Sequence, residues 1–432
     1  MRLYGFSQGS LSRHATGGAG SEGRPRLVFH LRHRRRPISV SAPHFVIAGA
    51  GIGGLTMALS LARRGIAATV VEKRTGFGET GAGLQVTSNS GRVLDALDLA
   101  LPLKRISVTS HGLSIRRWAD GSQVLEMPSS PERMPTPFRM MKRSDLHTVL
   151  LDAARSMPNI RLMIGRSVDE VRQEADGVTI GLTARDGVGG TLAALGLIGA
   201  DGLWSRVRDL TGDASQPVFT GYEAWRAVVP ARAADKPRVT LHMGSGRHAV
   251  HYPVAGGKEI NLVVVRLAKE AREGWSREGD RTIVTDHLAS ASPALRDLTG
   301  AAEGWQVWSL FDRKPAAMAK GRIALLGDAA HPILPFLAQG ASLAIEDAAV
   351  LARLLAETLS REGATGVPMV FAAYAASRAQ RVARVQEESR SNGRNYHMGW
   401  PLSMARDFAL RRLGADGLRN RYGWLYDWQD AA

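Results

Sequence analysis

The feature that most restricts the fold is His44-Phe-Val-Ile-Ala-Gly-Ala-Gly-Ile-Gly-Gly-Leu-Thr-Met-Ala-Leu-Ser-Leu-Ala-Arg-Arg-Gly65 with the following Ala67-Ala-Thr-Val-Val-Glu72. A short apolar run, a glycine turn, a helical pattern closed by glycine and a second apolar run predict a strand-helix-strand unit. Gly49, Gly51 and Gly54 have the GxGxxG spacing: missing side chains permit a tight turn, close approach of a pyrophosphate, and packing of helix on strand. Glu72, ending the second strand, is placed to accept hydrogen bonds from a ribose. Two other readings compete for this segment. The apolar run from Phe45 to Ala62 approaches the ~18 residues that mark a membrane helix, and Arg34-Arg35-Arg36 before it resembles a twin-arginine export signal. The glycines, second strand and terminal acid favour a dinucleotide-binding unit.

A second organising stretch lies far along the chain, Gly321-Arg-Ile-Ala-Leu-Leu-Gly-Asp-Ala-Ala-His-Pro-Ile-Leu-Pro-Phe-Leu-Ala-Gln-Gly-Ala-Ser-Leu-Ala-Ile-Glu-Asp347. It predicts a buried strand stopped by Gly327-Asp328, a Pro-rich bend, and a long helix from Gly340 to about Leu359. A carboxylate at a strand end beside an open helix N-terminus can hold hydroxyl groups and electron-rich oxygens. Between the two stretches, Leu197-Ile-Gly-Ala-Asp-Gly-Leu-Trp-Ser-Arg-Val-Arg208 ends another strand in Asp201-Gly202. Gly81-Ala-Gly-Leu-Gln85 precedes a helix near Arg92 to Leu97, with Ser88 or Asn89 as its N-cap. Lys142-Arg-Ser-Asp predicts a helix start at Ser144 or Asp145.

These motifs, in this order, resemble the single-component FAD monooxygenases that hydroxylate aromatic rings, the salicylate hydroxylase and 3-hydroxybenzoate 6-hydroxylase relatives. The resemblance implies an α/β fold in which a Rossmann-type FAD-binding domain interleaves with a β-sheet substrate domain and C-terminal helices follow. By resemblance Gly49, Gly51, Gly54 and Glu72 hold the adenosine half of FAD, and Asp328 holds the ribityl chain. The Pro332 loop with Gln339, Gly340 and Ala341 surrounds the isoalloxazine, and Gln85 passes beside it, although the family's usual Pro-Asn-Ala is Ser88-Asn89-Ser90 here. Arg143 reaches toward phosphates and ribityl, Asp201 lies near the pyrophosphate, and Arg208 holds the local turn or meets phosphate. The implied reaction takes NADH or NADPH, FAD and O2 through a flavin C4a-hydroperoxide to a hydroxylated small aromatic substrate.

The substrate domain is expected in two pieces, 111–140 and 218–314, between FAD-binding pieces at 44–110, 141–217 and 315–365, with helices over 366–432. Strands at Gly221–Val229, Arg238–Met243, Arg247–Val254 and Glu259–Val265 predict an antiparallel sheet. Alternation puts Tyr222, Ala224 and Arg226 on one face, and His248, Val250 and Tyr252 on one face with His251 opposite. Making a phenol ring electron-rich takes a group that accepts or polarises the phenolic proton. Tyr222, His251 and His248 are the candidates, with Trp225 as an aromatic wall; Tyr222 comes first because in similar enzymes this Thr-Gly-X-X-X-aromatic-Arg strand contributes pocket residues, and by resemblance Pro332 lies close to the flavin. Arginine-rich helices over Met369–Ser391 and Leu402–Leu413 are expected to form a solvated face, and the aromatic tail Tyr422–Trp428 to pack on a lobe or a second subunit.

The formal charge of +16 is uneven. Eight arginines face one glutamate before residue 43, leaving +9 spread over the rest, which suits anionic substrates and dinucleotides rather than nucleic acid. Residues 1–43 read as a disordered basic extension, a targeting segment or an upstream start-site extension. The absence of cysteine excludes disulfides and thiolate chemistry and is compatible with a cytoplasmic enzyme. No metal site, nucleic-acid partner or membrane partner is expected, and the assembly is expected to be a monomer or homodimer. Three alternatives stand: a flavin-dependent hydroxylase or epoxidase of an N-heterocycle or other unsaturated substrate, a flavin-binding protein without turnover, and a nicotinamide dehydrogenase without flavin.

Overall fold

The computed structural model describes residues 44–78, 83–129, 136–232, 236–271 and 277–430. The expected extension 1–43 and the residues Gly81 and Ala82 lie outside them.

The strand-helix-strand unit forms as its pattern requires. Strands His44–Ala48 and Ala67–Glu72 pair in parallel, with the helix Ile52–Ala62 between them in sequence. They belong to a six-stranded sheet in the order Ala319–Lys320, Ile323–Leu325, Gly196–Gly199, His44–Ala48, Ala67–Glu72, Ile160–Ile164, parallel except at the Ala319–Lys320 edge. The central strands read as unbroken apolar runs because both faces are covered. Phe45, Val46 and Ile47 are fully buried, and the Ile52–Ala62 helix is buried between this sheet and the helix Gly340–Glu362. The apolar run that approaches membrane length is thus split between a strand and a helix. Among the described residues, no helix is long and apolar enough to cross a membrane.

A second sheet has eight strands, in the order Arg277–Glu278, Gln306–Asp312, Val218–Pro230, Glu259–Leu267, Arg247–Val254, Val239–Gly244, Gly112–Arg117, Gln123–Pro128. It is antiparallel as expected except for one parallel pair, Val239–Gly244 with Gly112–Arg117, where chain from the earlier segment closes the sheet. One face is covered by the helices Arg281–Leu288 and Pro293–Gly300. Trp225 lies on that covered face, donating from Nε1 to Glu223 at 2.7 Å, so it is a core residue and not a wall of the open side.

The long helices run further than their apolar periods suggest. Val367–Tyr396 follows Gly340–Glu362, and Leu402–Tyr426 continues past a bend at Gly414, whose φ is 67°. The aromatic tail packs on the helices Ser88–Ala96, Gly340–Glu362 and Val367–Tyr396. Arg384 lies 3.6 Å from the Trp424 ring centroid, Arg92 donates to the Trp428 carbonyl, and Arg353 pairs with Asp430.

Candidate active site

Between the open face of the eight-stranded sheet and the ends of the six-stranded sheet lies a cavity of about 1720 Å³. The sequence motifs converge on it. Gly49, Gly51, Glu72, Gln85, Arg143, Asp201, Asp328, Gln339, Gly340 and Ala341 all line it, although they lie up to 292 positions apart in the chain.

The glycine turn is built for close approach. Gly49 has φ 103° and would drive a Cβ into the Ala200 carbonyl, while a Cβ on Gly54 would collide with the Gly49 carbonyl. Gly51, by contrast, has nothing within 4 Å of the position a Cβ would take, so its missing side chain leaves open space. Glu72 ties the turn to its strand: Oε2 accepts from the Ala50 amide at 2.9 Å and Oε1 from the Arg74 amide at 2.8 Å. His147 Nε2 meets the Ala50 carbonyl at 2.7 Å, a support from the Arg143–Ser156 helix that no sequence signal marked.

Asp201 turns inward to its own loop, accepting from Ser205 Oγ and from the Val207 amide at 3.0 Å. Burial pushes its pKa up against those bonds. Of the two roles open to Arg208, the structure shows the structural one: it is fully buried and bonded to Asp213, Ser215 and the Lys314 carbonyl.

Asp328 lies deep in the molecule but its side chain is open to the cavity. Depth pushes its pKa up, and His331, Arg143 and the Ile333 amide hold it back. The helix Gly340–Glu362 begins beside it with no side-chain cap, leaving its first amides for a ligand. Gln339, just before it, is fully buried and committed to the protein. Its Nε2 donates to Thr87 Oγ1 at 3.1 Å and its Oε1 accepts from Asn89 at 3.0 Å. Asn89 therefore anchors the loop rather than capping its helix, whose N-cap is Thr87. Ala338 is held at φ 53°, a left-handed conformation unusual for a residue with a Cβ.

The open sheet face resolves which alternating set looks inward. Register aligns Arg226 with Val263 and Val263 with Val250, and likewise Ala224 with Val265 and Val265 with His248. Arg226, His248, Val250 and Tyr252 line the cavity; His251, on the other face, does not, and its ring meets His242 with a 3.4 Å Nε2–Nε2 separation. Tyr222 shares the inward face but sits two residues beyond Ala224, about 7 Å toward the strand end. Its ring packs on His397, with centroids 4.6 Å apart, and on Phe336, so it falls outside the lining. Pro332 is also outside it, with its carbonyl taken by Gln386, whereas Pro335 and Phe336 line the cavity.

His248 Nδ1 is 2.7 Å from His397 Nε2, leaving His248 Nε2 as the nitrogen available to a ligand. Burial pushes the His248 pKa well below the usual imidazole range, and His397, lowered to about 4, is neutral beside it at pH 7. Tyr252 is buried and hydrogen-bonded to Gln85, and burial raises its phenol pKa, so it stays protonated. Arg226 stacks over the Trp308 ring at 4.4 Å.

The sequence matches the FAD binding domain family over residues 44–389. It is 34% identical over 396 residues to 3-hydroxybenzoate 6-hydroxylase of Klebsiella oxytoca, covering 89% of this chain and 96% of that one. The chain belongs to the FAD-dependent aromatic monooxygenases. A 3-amino-4-hydroxybenzoate 2-monooxygenase of Streptomyces platensis is 35% identical over 91% of this chain and 98% of its own. A salicylate hydroxylase substrate complex superposes with a TM-score of 0.76 at 25% identity, covering 90% and 96% of the two chains. HpxO of Klebsiella pneumoniae, solved with FAD and uric acid, gives 0.76 at 25% identity over 88% and 95%.

FAD is the cofactor of this monooxygenase family member, and the residues present fit it. One cavity holds an open Gly51, two helix N-termini without side-chain caps and a carboxylate facing inward. Among the described residues no cluster of three or more metal-ligating side chains occurs.

Proposed function

We propose that this chain hydroxylates a phenolic ring at the expense of NADH or NADPH and O2. The observation that carries the reading is the inward sheet face. His248, Tyr252 and Arg226 stand there among Val250, Val263 and Val265, in the cavity onto which the Gly51 and Gly340 helix starts also open.

Gly49, Gly51 and Gly54 would pass the pyrophosphate to the amides of the Ile52–Ala62 helix, and Glu72 would exchange a bond to the Ala50 amide for one to ribose. Asp328 would accept from ribityl hydroxyls, and Arg143 would balance phosphate charge. The partial positive charge at Gly340 and Ala341 favours an electron-rich ring edge. When bound, FAD supplies electron transfer from the nicotinamide and the activation of O2.

The chain's own part in the ring chemistry is proton control and exclusion of water. In the tautomer whose Nδ1–H donates to His397, His248 presents a bare Nε2 that accepts from the phenolic O–H and pushes electron density into the ring. Its depressed pKa keeps it neutral, so it polarises that proton at pH 7 rather than carrying it in the empty site. Tyr252 donates, and Arg226, which lines the cavity, would meet a carboxylate on the ring. Val250, Val263, Val265 and Phe336 keep the ring site dry.

Stopped-flow reduction of the FAD-loaded protein by NADH and by NADPH, without oxygen, tests this against hydroxybenzoates, hydroxypyridines and uric acid. At least one phenol should accelerate flavin reduction tenfold or more. Acceleration by uric acid or a hydroxypyridine alone would move the assignment to N-heterocycles. No acceleration by any compound would favour a flavin-binding protein without turnover.

A further inference from the structure

The cavity does not end at the ring site. His248 and Val250 stand on the Arg247–Val254 strand, and the register continues outward from them: Met243 lies opposite His248, Leu241 opposite Val250, and Ile115 opposite Leu241. Leu113, paired with Met127 on the last strand, completes this floor. All of these side chains line the same cavity. From the Arg247–Val254 strand to the edge strand Gln123–Pro128 there are three strand spacings, about 14 Å at ~4.8 Å each. The roof over this part is the helix Leu402–Tyr426, through Leu410 and Leu413.

The chemistry changes along the floor. Every polar side chain nominated for ring chemistry lies on the strands Val218–Pro230 and Arg247–Val254, and Leu241, Met243, Ile115 and Leu113 carry none. The arginines at the helix rim are already engaged: Arg406 pairs with Asp407 at 2.7 Å, and Arg419 bonds Asp416 and the Pro128 carbonyl.

We infer that the floor of Leu113, Ile115, Leu241 and Met243 beneath Leu410 and Leu413 is a subsite for an apolar substituent on the aromatic substrate. The substrate class is then a phenol bearing an alkyl or aryl group of several carbons rather than a bare hydroxybenzoate. This rests on the ring-site reading of the preceding subsection and names the substrate class of that same site. A flexible chain enters a preformed apolar slot whose walls make no demand for hydrogen bonds, so recognition scales with buried area.

The test measures dissociation constants by titrating the FAD-loaded protein, followed by flavin absorbance and by calorimetry. The probes are phenols carrying straight alkyl chains of zero to six carbons at the ortho, meta or para position. For the best-placed series, affinity should rise about fourfold per methylene, the equivalent of about 0.8 kcal/mol each. Ile115→Trp, which fills the floor, and Leu413→Ser, which opens the roof at a residue already 43% exposed, should each flatten that slope. Two variants of opposite sense guard against a misfolded one. A slope near one per methylene in the wild-type protein at every ring position would overturn the subsite, even if hydroxybenzoates are hydroxylated normally. A steep slope with no hydroxylated product from any phenol would keep the subsite and sink the ring-chemistry reading instead.

Discussion

Asp347→Asn should weaken both the fold and the hold on FAD, though Asp347 is fully buried and does not line the cavity. Its Oδ1 accepts from Arg378 Nε at 2.7 Å, while Oδ2 meets His331 Nε2 at 2.7 Å and the Gly327 amide at 3.0 Å. Those contacts fix the turn, with Gly327 at φ 56°, that carries Asp328 to the cavity. Burial alone would raise the Asp347 pKa, but His331 and Arg378 outweigh it and hold it at about 2 against 3.8. That difference is worth roughly 2 kcal/mol of stability at 1.36 kcal/mol per unit. An amide also leaves Arg378 with Glu346 alone and sets an N–H against a donor, so the full loss should approach the ~3–5 kcal/mol of a broken buried pair. With an unfolding entropy of about 0.8 kcal/mol/K for the roughly 370 described residues, 4 kcal/mol lowers Tm by about 5 °C. The sign of the pH dependence follows from a folded pKa below the unfolded one. The contribution is complete above about pH 5 and is lost as pH falls toward 2, with about 1 kcal/mol gone by pH 3. Calorimetry of both proteins from pH 7 to 3, with FAD occupancy measured by absorbance, is the assay. Equal Tm values at pH 7, or a gap that fails to shrink toward pH 3, would refute the reasoning.

Three further outcomes follow from the site. Asp328→Ala should lower FAD retention on gel filtration, and unchanged flavin occupancy would remove Asp328 from the ribityl role. His248→Asn should reduce hydroxylated product by about 10²-fold or more, the scale of general-base loss, while flavin reduction changes far less. Because the His248 pKa lies well below 6.5, the wild-type product yield should be flat from pH 6 to 8, and a break near pH 6.5 would contradict a neutral buried imidazole. Tyr222→Phe should alter product formation less than twofold, since Tyr222 stands outside the cavity lining, and a large loss would return it to the ring chemistry.

The side of the cavity made of strand ends and helix starts was legible because its geometry is local. Gly49, Gly51 and Gly54, Asp328 and Gly340 each sit at a strand end or helix start, where a few neighbouring residues dictate the backbone. The sheet side was legible only as alternation. Period two separates His248 from His251, but the choice of inward face depends on where Trp225 and the Arg281–Leu288 helix bury themselves, which is decided across the sheet. Tyr222 shows the same limit along a strand: it has the right face and the wrong depth. His397 and Asp347 act through contacts with residues 149 and 20 positions away, respectively, and no spacing rule connects them. The Glu346-Asp347 pair was visible as a motif, but its bonds to Arg378 and Arg381 require the packing of a later helix.

The most direct test of the central claim is the fate of oxygen. FAD-loaded protein would be given ¹⁸O₂, NADH or NADPH, and the phenol that most accelerates flavin reduction, and product, peroxide and nicotinamide oxidised would be quantified together. The account predicts a ring product that has gained one ¹⁸O atom, in amounts that match the nicotinamide consumed and with little peroxide. Peroxide equal to the nicotinamide consumed, with no labelled product from any phenol tested, would contradict it.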